Sequence, residues 1–270
     1  MQSESGYHFI SSFLSCQQKF YWEYIEGLVP KYRSKSLLFG DCIHKALAEY
    51  YSATKGGNKW LDCANIAIEK FLSSMRELHE EYQYEEDYLA DLSKGIVLLQ
   101  EYSISTEHDQ IIQYNLETEV YKELTLPSGR VLTGNIDLIV GSNPPVIYDH
   151  KTTGWSISLS LQSLRMSNQA TTYLSLCPQA SHMVYNILYQ KESKTVFHRE
   201  IVYRTADDLQ KWIIQADAIL GTISANVGKS PDSWWRNDKN CFAYNHVCEY
   251  IDLCKGGKST IGFKYRGERK

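Results

Sequence analysis

Thr133-Gly134-Asn135-Ile136-Asp137-Leu138-Ile139-Val140 and, across a Gly- and Pro-bearing turn, Val146-Ile147-Tyr148-Asp149-His150-Lys151-Thr152-Thr153 read as two short apolar strands. Side chains alternate along a strand, so Asp149 and Lys151 project from one face, and a hairpin pairing sets Asp137 beside them. Two carboxylates and one ammonium then share a partly buried pocket. Asp137 sits among Ile136, Leu138, Ile139 and Val140, and Asp149 follows Val146 and Ile147. Acids embedded in apolar strands are costly unless something pairs them. The competing reading is an exposed hairpin with ordinary polar alternation.

Outward from this hairpin the hydrophobic period changes twice. Residues 8 to 26, 41 to 52 (Ile43, Ala46, Leu47, Tyr50), 62 to 82 (Ile66, Phe71, Met75, Leu78) and 86 to 105 carry apolar positions at helical spacing. A period of two then predicts strands near 112 to 123, 131 to 140, 146 to 151, 182 to 190 and 195 to 204, with a helix at 161 to 177. Thr205-Ala206-Asp207-Asp208 starts a last helix, which runs to about Asn226, because Thr at the cap and an acid three residues on suit the N-terminal dipole. The tail after Gly228 is irregular and rich in Trp and Cys. The fold class is α/β, a mixed sheet flanked by helices. With no repeat, low-complexity tract or Pro/Ser-rich linker, the simplest organisation is one domain over 1–270. It comprises a helical part (1–110), a sheet core (111–204) and a C-terminal helix with a cysteine-rich tail (205–270).

The chain has 270 residues, 43% of them hydrophobic, ample for a core. No apolar run approaches the roughly 20 residues that span a bilayer. Met1-Gln2-Ser3-Glu4-Ser5 opens without a charged-then-apolar signal segment, and the expectation is a cytoplasmic protein of a bacterium, archaeon or phage. Lys plus Arg (28) against Asp plus Glu (32) gives a net charge of -4, so no global basic field advertises nucleic acid. Local phosphate contacts would fall to Lys31-Tyr32-Arg33-Ser34-Lys35 or to Lys264-Tyr265-Arg266-Gly267-Glu268-Arg269-Lys270, runs that are otherwise solvated tails.

Phosphodiester cleavage needs a nucleophilic water, neutralised charge on the scissile phosphate and help for the leaving oxygen, all of which carboxylate-held Mg or Mn can give. Asp137 and Asp149 would hold the ion, and Lys151 could orient or deprotonate the water or meet the phosphate. Leu38-Phe39-Gly40-Asp41-Cys42-Ile43-His44 puts a Gly at a helix entrance and a His one turn in, able to offer a neutral imidazole to the same ion. Gln169-Ala170-Thr171-Thr172-Tyr173 places an amide and a phenol one turn apart on one helix face. Glu119 could add a carboxylate but reads better as a solvent-facing strand residue.

Gly40-x-x-x-His44, Gly134-x-x-Asp137, Asp149-x-Lys151 and Gln169-x-x-x-Tyr173, in this order and spacing, resemble the RecB-like branch of the PD-(D/E)XK nucleases over roughly residues 8 to 255. The resemblance implies a restriction-endonuclease-like core. It further implies that His44, Asp137 and Asp149, with the backbone carbonyl of His150, bind the catalytic Mg or Mn, and that Lys151 is catalytic. By the same analogy Gln169 and Tyr173 help hold DNA or the lysine and phosphate. His150 departs from relatives that carry Tyr or an apolar residue there, and its imidazole could touch substrate or metal.

Seven cysteines without a secretion signal argue against a disulfide framework. Cys42, Cys63 and Cys177 lie in helical apolar patterns as ordinary buried thiols. Cys241, Cys248 and Cys254 form C-x6-C-x5-C in the irregular tail and look like ligands; a fourth thiolate would come from Cys16 near the other end. A subset of RecB-like nucleases, including AddB subunits and CRISPR adaptation exonucleases, holds a 4Fe-4S cluster with one N-terminal and three C-terminal cysteines, and this chain is similar. Those relatives commonly carry C-x2-C-x5-C, and here Asn245 stands at the first of the three positions. Zinc is the alternative occupant, three unliganded thiols the bland one. A cluster would staple the first helix to the tail.

Tyr21, Trp22, Tyr24, Trp234, Trp235, Phe242 and Tyr244 would gather beside the cleft, most as core and one or two as stacking surfaces for unpaired bases. The combined expectation is a metal-dependent DNA exonuclease acting on single strands or free ends, in recombination, repair, phage DNA processing or CRISPR adaptation. A helicase, recombinase or integrase would be its partner. The alternatives are a structure-specific endonuclease, a non-catalytic DNA-binding or assembly component of the same fold, and a zinc-stabilised interaction protein.

Overall fold

A computed structural model describes residues 5–57, 59–106, 111, 114–154, 157–191, 194–243, 246–257 and 259–267. In chain order the elements are α1 (Tyr7–Ser15), α2 (Gln17–Phe20), a π-turn (Tyr21–Ile25), β1 (Leu28–Pro30), α3 (Lys35–Lys55), α4 (Trp60–Glu77), α5 (Glu85–Thr106), β2 (Leu116–Thr125), β3 (Val131–Val140) and β4 (Val146–Thr153). There follow α6 (Ile157–Arg165), α7 (Asn168–Leu176), β5 (His182–Lys191), β6 (Lys194–Val202), α8 (Ala206–Asn226), α9 (Ile251–Cys254) and β7 (Phe263–Tyr265). Residues 112–113, where the first predicted strand begins, lie outside the described residues. No helix among the described residues is long and apolar enough to cross a membrane.

The chain divides into two compact units, one made of 33–124 and 134–212, the other of 1–32, 125–133 and 213–270. In the first, five strands form a sheet in the order β2-β3-β4-β5-β6. β3 and β4 are antiparallel, β4 and β5 parallel, β5 and β6 antiparallel, so the sheet is mixed as the change of period predicts. The parallel step needs a crossover, and α6 and α7 supply it. β4, with neighbours on both sides, carries the near-continuous burial of a central strand.

Leu38, Phe39, Cys42, Ile43, Ala46, Leu47 and Tyr50 are buried along one stripe of α3. They join Phe71, Leu98 and Tyr102 of the neighbouring helices and Leu138, Tyr148, Val184 and Leu188 of the sheet in one core. Burying such a Leu, Ile or Phe contributes about 1.5–3 kcal/mol, which fixes the helical layer on this sheet face. The predicted helix over 161–177 is two helices. Ser167 caps α7, its Oγ accepting the Gln169 N–H at 3.1 Å. Arg204 donates to the carbonyls of Arg165 and Ser167 at 2.8 and 3.2 Å, satisfying backbone acceptors that the interruption frees. Thr205 and Asp208 form the reciprocal capping box expected at α8: Asp208 N–H donates to Thr205 Oγ1 at 3.1 Å and Thr205 N–H to the Asp208 carboxylate at 2.9 Å.

In the second unit Trp234 is buried against Phe13, Phe20 and Tyr21, with ring centroids 6.3, 5.7 and 5.8 Å away. The tail is more ordered than its sequence reads, because β7 pairs antiparallel with β1 (Leu28↔Tyr265, Pro30↔Phe263) and Tyr250 donates its hydroxyl to Leu28 O at 2.9 Å.

Candidate active site

The β3–β4 ladder runs from Val140↔Val146 to Leu138↔Tyr148. Beyond it the His150 N–H donates to Asp137 Oδ2 at 2.8 Å. Where the strands stop pairing, an acidic side chain thus takes a backbone donor in place of a backbone acceptor. Asp149 is 1% exposed. Its Oδ1 accepts from Gln169 Nε2 at 2.8 Å, and its Oδ2 lies 2.6 Å from Lys151 Nζ as an ion pair. Burial pushes Asp149 up to about 6, against the opposing pull of Lys151.

His44, on the sheet-facing side of α3, sets Nδ1 3.1 Å from Asp137 Oδ2. Burial alone would lower the His44 pKa, but the charge and hydrogen bond of Asp137 raise it; reciprocally, and against the burial that would raise it, His44 holds Asp137 below the ordinary carboxylate range. Gly40 lies in the second turn of α3, not at its entrance, since the helix begins at Lys35. A Cβ at Gly40 would meet Thr152 Oγ1 at 3.3 Å, so the small residue lets α3 lie close on β4. A Cβ at Gly134 would lie 2.6 Å from Leu176 Cδ1 and 3.3 Å from the Tyr173 ring, so this glycine gives α7 its seat on β3. That seat brings Gln169 and Tyr173 inward: both are buried, Gln169 Nε2 is 3.4 Å from Tyr173 Oη, and burial next to Asp149 keeps the phenol well above its usual pKa.

Every residue assigned to the catalytic set, His44, Asp137, Asp149, His150, Lys151, Gln169 and Tyr173, falls in the first unit. Glu119 is exposed, as expected, and accepts from Asn135 Nδ2, with a left-handed φ of 51° that is uncommon outside glycine. Asn186, buried in β5 and bonded to His150, escaped sequence reading. The available signal was an amide between Tyr185 and Ile187 in an apolar run.

Among the described residues no three His, Cys, Asp or Glu side chains form an assembled ion site. The donor chemistry nevertheless suits a hard divalent cation: two carboxylates and an imidazole lie together, with the buried Asp149 carboxylate also facing the Lys151 ammonium.

In the second unit Cys16, Cys241, Cys248 and Cys254 line one hollow of about 20 Å³ together with Lys19, Arg236, Asn237, Asn240 and Ile251. Cys16 sits at the break between α1 and α2 with extended backbone, which turns its thiol inward. Asn237 N–H donates to Cys16 Sγ at 3.4 Å, Asn237 Nδ2 to Ser15 O at 2.9 Å, and Cys248 N–H to Cys241 O at 2.8 Å. All four thiols are free, and burial raises the pKa of Cys248 and Cys254. Cys42, Cys63 and Cys177 are fully buried elsewhere.

The aromatic set separates by exposure. Trp234 and Tyr21 are core, Tyr24 stacks on Phe20 with centroids 4.9 Å apart, and Trp235 (76%) and Phe242 (65%) face solvent. Tyr244 and Asn245 lie outside the described residues, as do 268–270. Three cations of the basic runs are paired with carboxylates: Arg33 with Asp41 and Glu81 at 2.8 and 2.7 Å, Lys35 with Asp87 at 2.8 Å, and Arg266 with Glu23 at 3.3 Å.

The family model of the PD-(D/E)XK nuclease superfamily matches residues 8–255. A solved structure from Eubacterium rectale, named "Putative exonuclease", shares the fold with a TM-score of 0.54 at 13% identity, covering 93% of each chain. The crystal structure of SSO0001 aligns over 57% of this chain and 70% of that one, with 19% identity and a TM-score of 0.32. No curated protein matches the sequence.

Proposed function

Because the chain belongs to the PD-(D/E)XK nuclease superfamily, we propose that it is a RecB-like, Mg- or Mn-dependent DNA exonuclease, with the whole chain serving as one nuclease domain. The observation that carries this reading is the convergence of Asp137, Asp149 and Lys151 on one face of β3 and β4, with His44 at 3.1 Å from Asp137. His44, Asp137, Asp149 and the carbonyl of His150 would hold the ion. When bound, the ion supplies an activated water and neutralises charge on the phosphate.

The chain's own residues do the rest. Lys151, held by Asp149, orients the attacking water or meets the negative charge that develops on the scissile phosphate. Gln169 fixes the Asp149 carboxylate from the other side, and Tyr173 offers a phenol that stays protonated as a donor. With a net charge of -4 and with Arg33, Lys35 and Arg266 held in ion pairs, the chain has little field for gripping a duplex. Trp235 and Phe242 instead offer exposed faces for unpaired bases, which favours a single strand or a free end as substrate.

Cys16, Cys241, Cys248 and Cys254 would hold a 4Fe-4S cluster as a structural staple; four thiols around one hollow support that donor set, and zinc is the alternative occupant. The process it would serve is recombination, repair, phage DNA processing or CRISPR adaptation, beside a helicase, recombinase or integrase. The test is digestion of labelled single- and double-stranded oligonucleotides, end-blocked and open, with Mn or Mg. Loss of open-ended substrate alone is expected. Absence of cleavage, or cleavage unchanged in Asp149→Ala, refutes nuclease activity; cutting of end-blocked DNA assigns an endonuclease.

A further inference from the structure

His150 follows Asp149 and therefore points to the opposite face of the sheet, into the layer built by α3 and α5. An imidazole is an odd occupant of such a core, and the fold surrounds it with polar partners that the catalytic set does not use. Asn186, its neighbour in register on β5, places Nδ2 2.9 Å from His150 Nδ1 and donates from the same nitrogen to Tyr102 Oη at 2.8 Å. Tyr102 Oη in turn lies 2.5 Å from Tyr51 Oη. The Tyr51 ring lies parallel to the His150 ring, with centroids 5.7 Å apart and planes 4° from coplanar orientation. All four side chains are 1% exposed.

This arrangement is chemically specific. With Nδ1 accepting from Asn186, the ring carries its proton on Nε2, which is buried and has no hydrogen-bond partner. Such a chain in a low-dielectric core is stable only if nearly all of its members are satisfied, so it holds one arrangement firmly. The residue so held has two contacts with the proposed metal ligands. Its backbone N–H donates to Asp137 Oδ2 at 2.8 Å, and its ring meets the His44 ring edge-on, with centroids 6.0 Å apart.

We propose that Asn186 and Tyr102 are positioning residues that lock His150 and thereby aim Asp137 and His44, acting on the metal-ligating set from the far face of the sheet. The inference rests on the reading of that set as a divalent-metal site. Neither residue touches substrate or metal. Each acts through the ring it holds, as outer partners of ligating histidines and carboxylates do, where loss typically costs about 10- to 100-fold in metal affinity.

The experiment uses the full chain, wild type, Asn186→Leu and Tyr102→Phe, with two readouts. Calorimetric titration of Mn alone should give an affinity about 10- to 100-fold weaker in Asn186→Leu and weakened less in Tyr102→Phe, which keeps the ring and removes only the hydroxyl. Nitrogen NMR of labelled histidine, without metal, should find His150 protonated on Nε2 with a hydrogen-bonded Nδ1 in the wild type, with the Nδ1 signal displaced in Asn186→Leu and the His44 signals displaced with it. Thermal melts identify a variant that fails to fold, in which case Tyr102→Phe carries the test. Unchanged Mn affinity in folded variants, or His150 and His44 signals unmoved by Asn186→Leu, overturns the inference. If wild type itself binds no Mn, the metal-site reading fails, and the NMR comparison alone decides whether Asn186 positions His150 and His44.

Discussion

Gln169 Nε2 donates a 2.8 Å hydrogen bond to Asp149 Oδ1, joining the first turn of α7 to the centre of β4. The carboxylate is fully buried, and its other oxygen faces Lys151. Gln169→Leu therefore leaves Oδ1 without its donor and frees the carboxylate to rotate away from the geometry that Lys151 and a metal require. We expect cleavage at saturating DNA to fall by about 10- to 100-fold with little change in KM. Gln169→Glu should be worse, since it sets a like charge against Asp149. Equal and undiminished rates in both variants would remove Gln169 from the site.

Asp149 is held for function at a cost to the fold. Burial raises its pKa to about 6, above the value near 3.9 expected when unfolded. The folded state thus binds this proton more tightly than the unfolded state, so the contribution of Asp149 to stability is most favourable below about pH 4 and falls as pH rises through about 6. Asp149→Asn removes that penalty. In chelator at pH 8, Asp149→Asn should melt about 2 to 5 °C above wild type, with the gap closing as pH is lowered toward 4, while cleavage is lost. A variant that melts lower at pH 8 would contradict the assignment.

How far the sequence discloses this site depends on the kind of contact. Asp137, Asp149 and Lys151 are legible because a strand's alternation is strict and an acid inside an apolar run is conspicuous. Gln169 and Tyr173 are legible because one helical turn sets them on one face. The interruption at Met166–Ser167 is not, since the bonds that stabilise it come from Arg204, nearly forty positions away in sequence. Asn186 is likewise hidden. Its partners His150 and Tyr102 are brought to it by strand register and by the packing of α5, neither of which local periodicity encodes. The tail reads as irregular because β7 is three residues long and exists only through its pairing with β1.

Gly134 tests the seating of α7. Alanine there brings Cβ to 2.6 Å from Leu176 Cδ1 and 3.3 Å from Tyr173, in a region where both side chains are buried. Overpacking of this kind costs about 1–3 kcal/mol, and here it also pushes the helix that carries Gln169 and Tyr173. Gly134→Ala should lower both Tm and cleavage rate. Adding Leu176→Ala makes room for the new methyl, so the double variant should be more active and more stable than the two single effects sum to. Strict additivity in a double-mutant cycle would show that the close approach does not matter.

Trp234 and Trp235 are neighbours with opposite surroundings, 1% and 76% exposed. Trp234→Ala empties the centre of an aromatic cluster and should destabilise the chain by about 3–5 kcal/mol. Trp235→Ala should shift stability by less than about 0.5 kcal/mol. Its effect belongs to substrate: a lost stacking face weakens binding of a single-stranded oligonucleotide by about 1–3 kcal/mol, with duplex binding affected less. Fluorescence anisotropy with short labelled strands reads this directly. Equal binding by wild type and Trp235→Ala would leave this residue without a role in holding DNA.

The cysteine hollow makes the sharpest demand on how the protein is handled. Cys16, Cys241, Cys248 and Cys254 come from opposite ends of the sequence and line one small space. Ring contacts with Trp234 and hydrogen bonds to Ser15 and Leu28 pin the tail there independently of any metal. Full-length protein purified without oxygen should therefore be brown, with broad visible absorbance and about four irons per chain if a 4Fe-4S cluster is held. Cys16→Ser should lose the colour and lower Tm, yet still fold, because the aromatic and hydrogen-bonded ties remain. A colourless protein carrying one zinc per chain would replace the cluster with a structural zinc site. A metal-free protein whose melting is unchanged by Cys16→Ser would reduce the four thiols to packing residues.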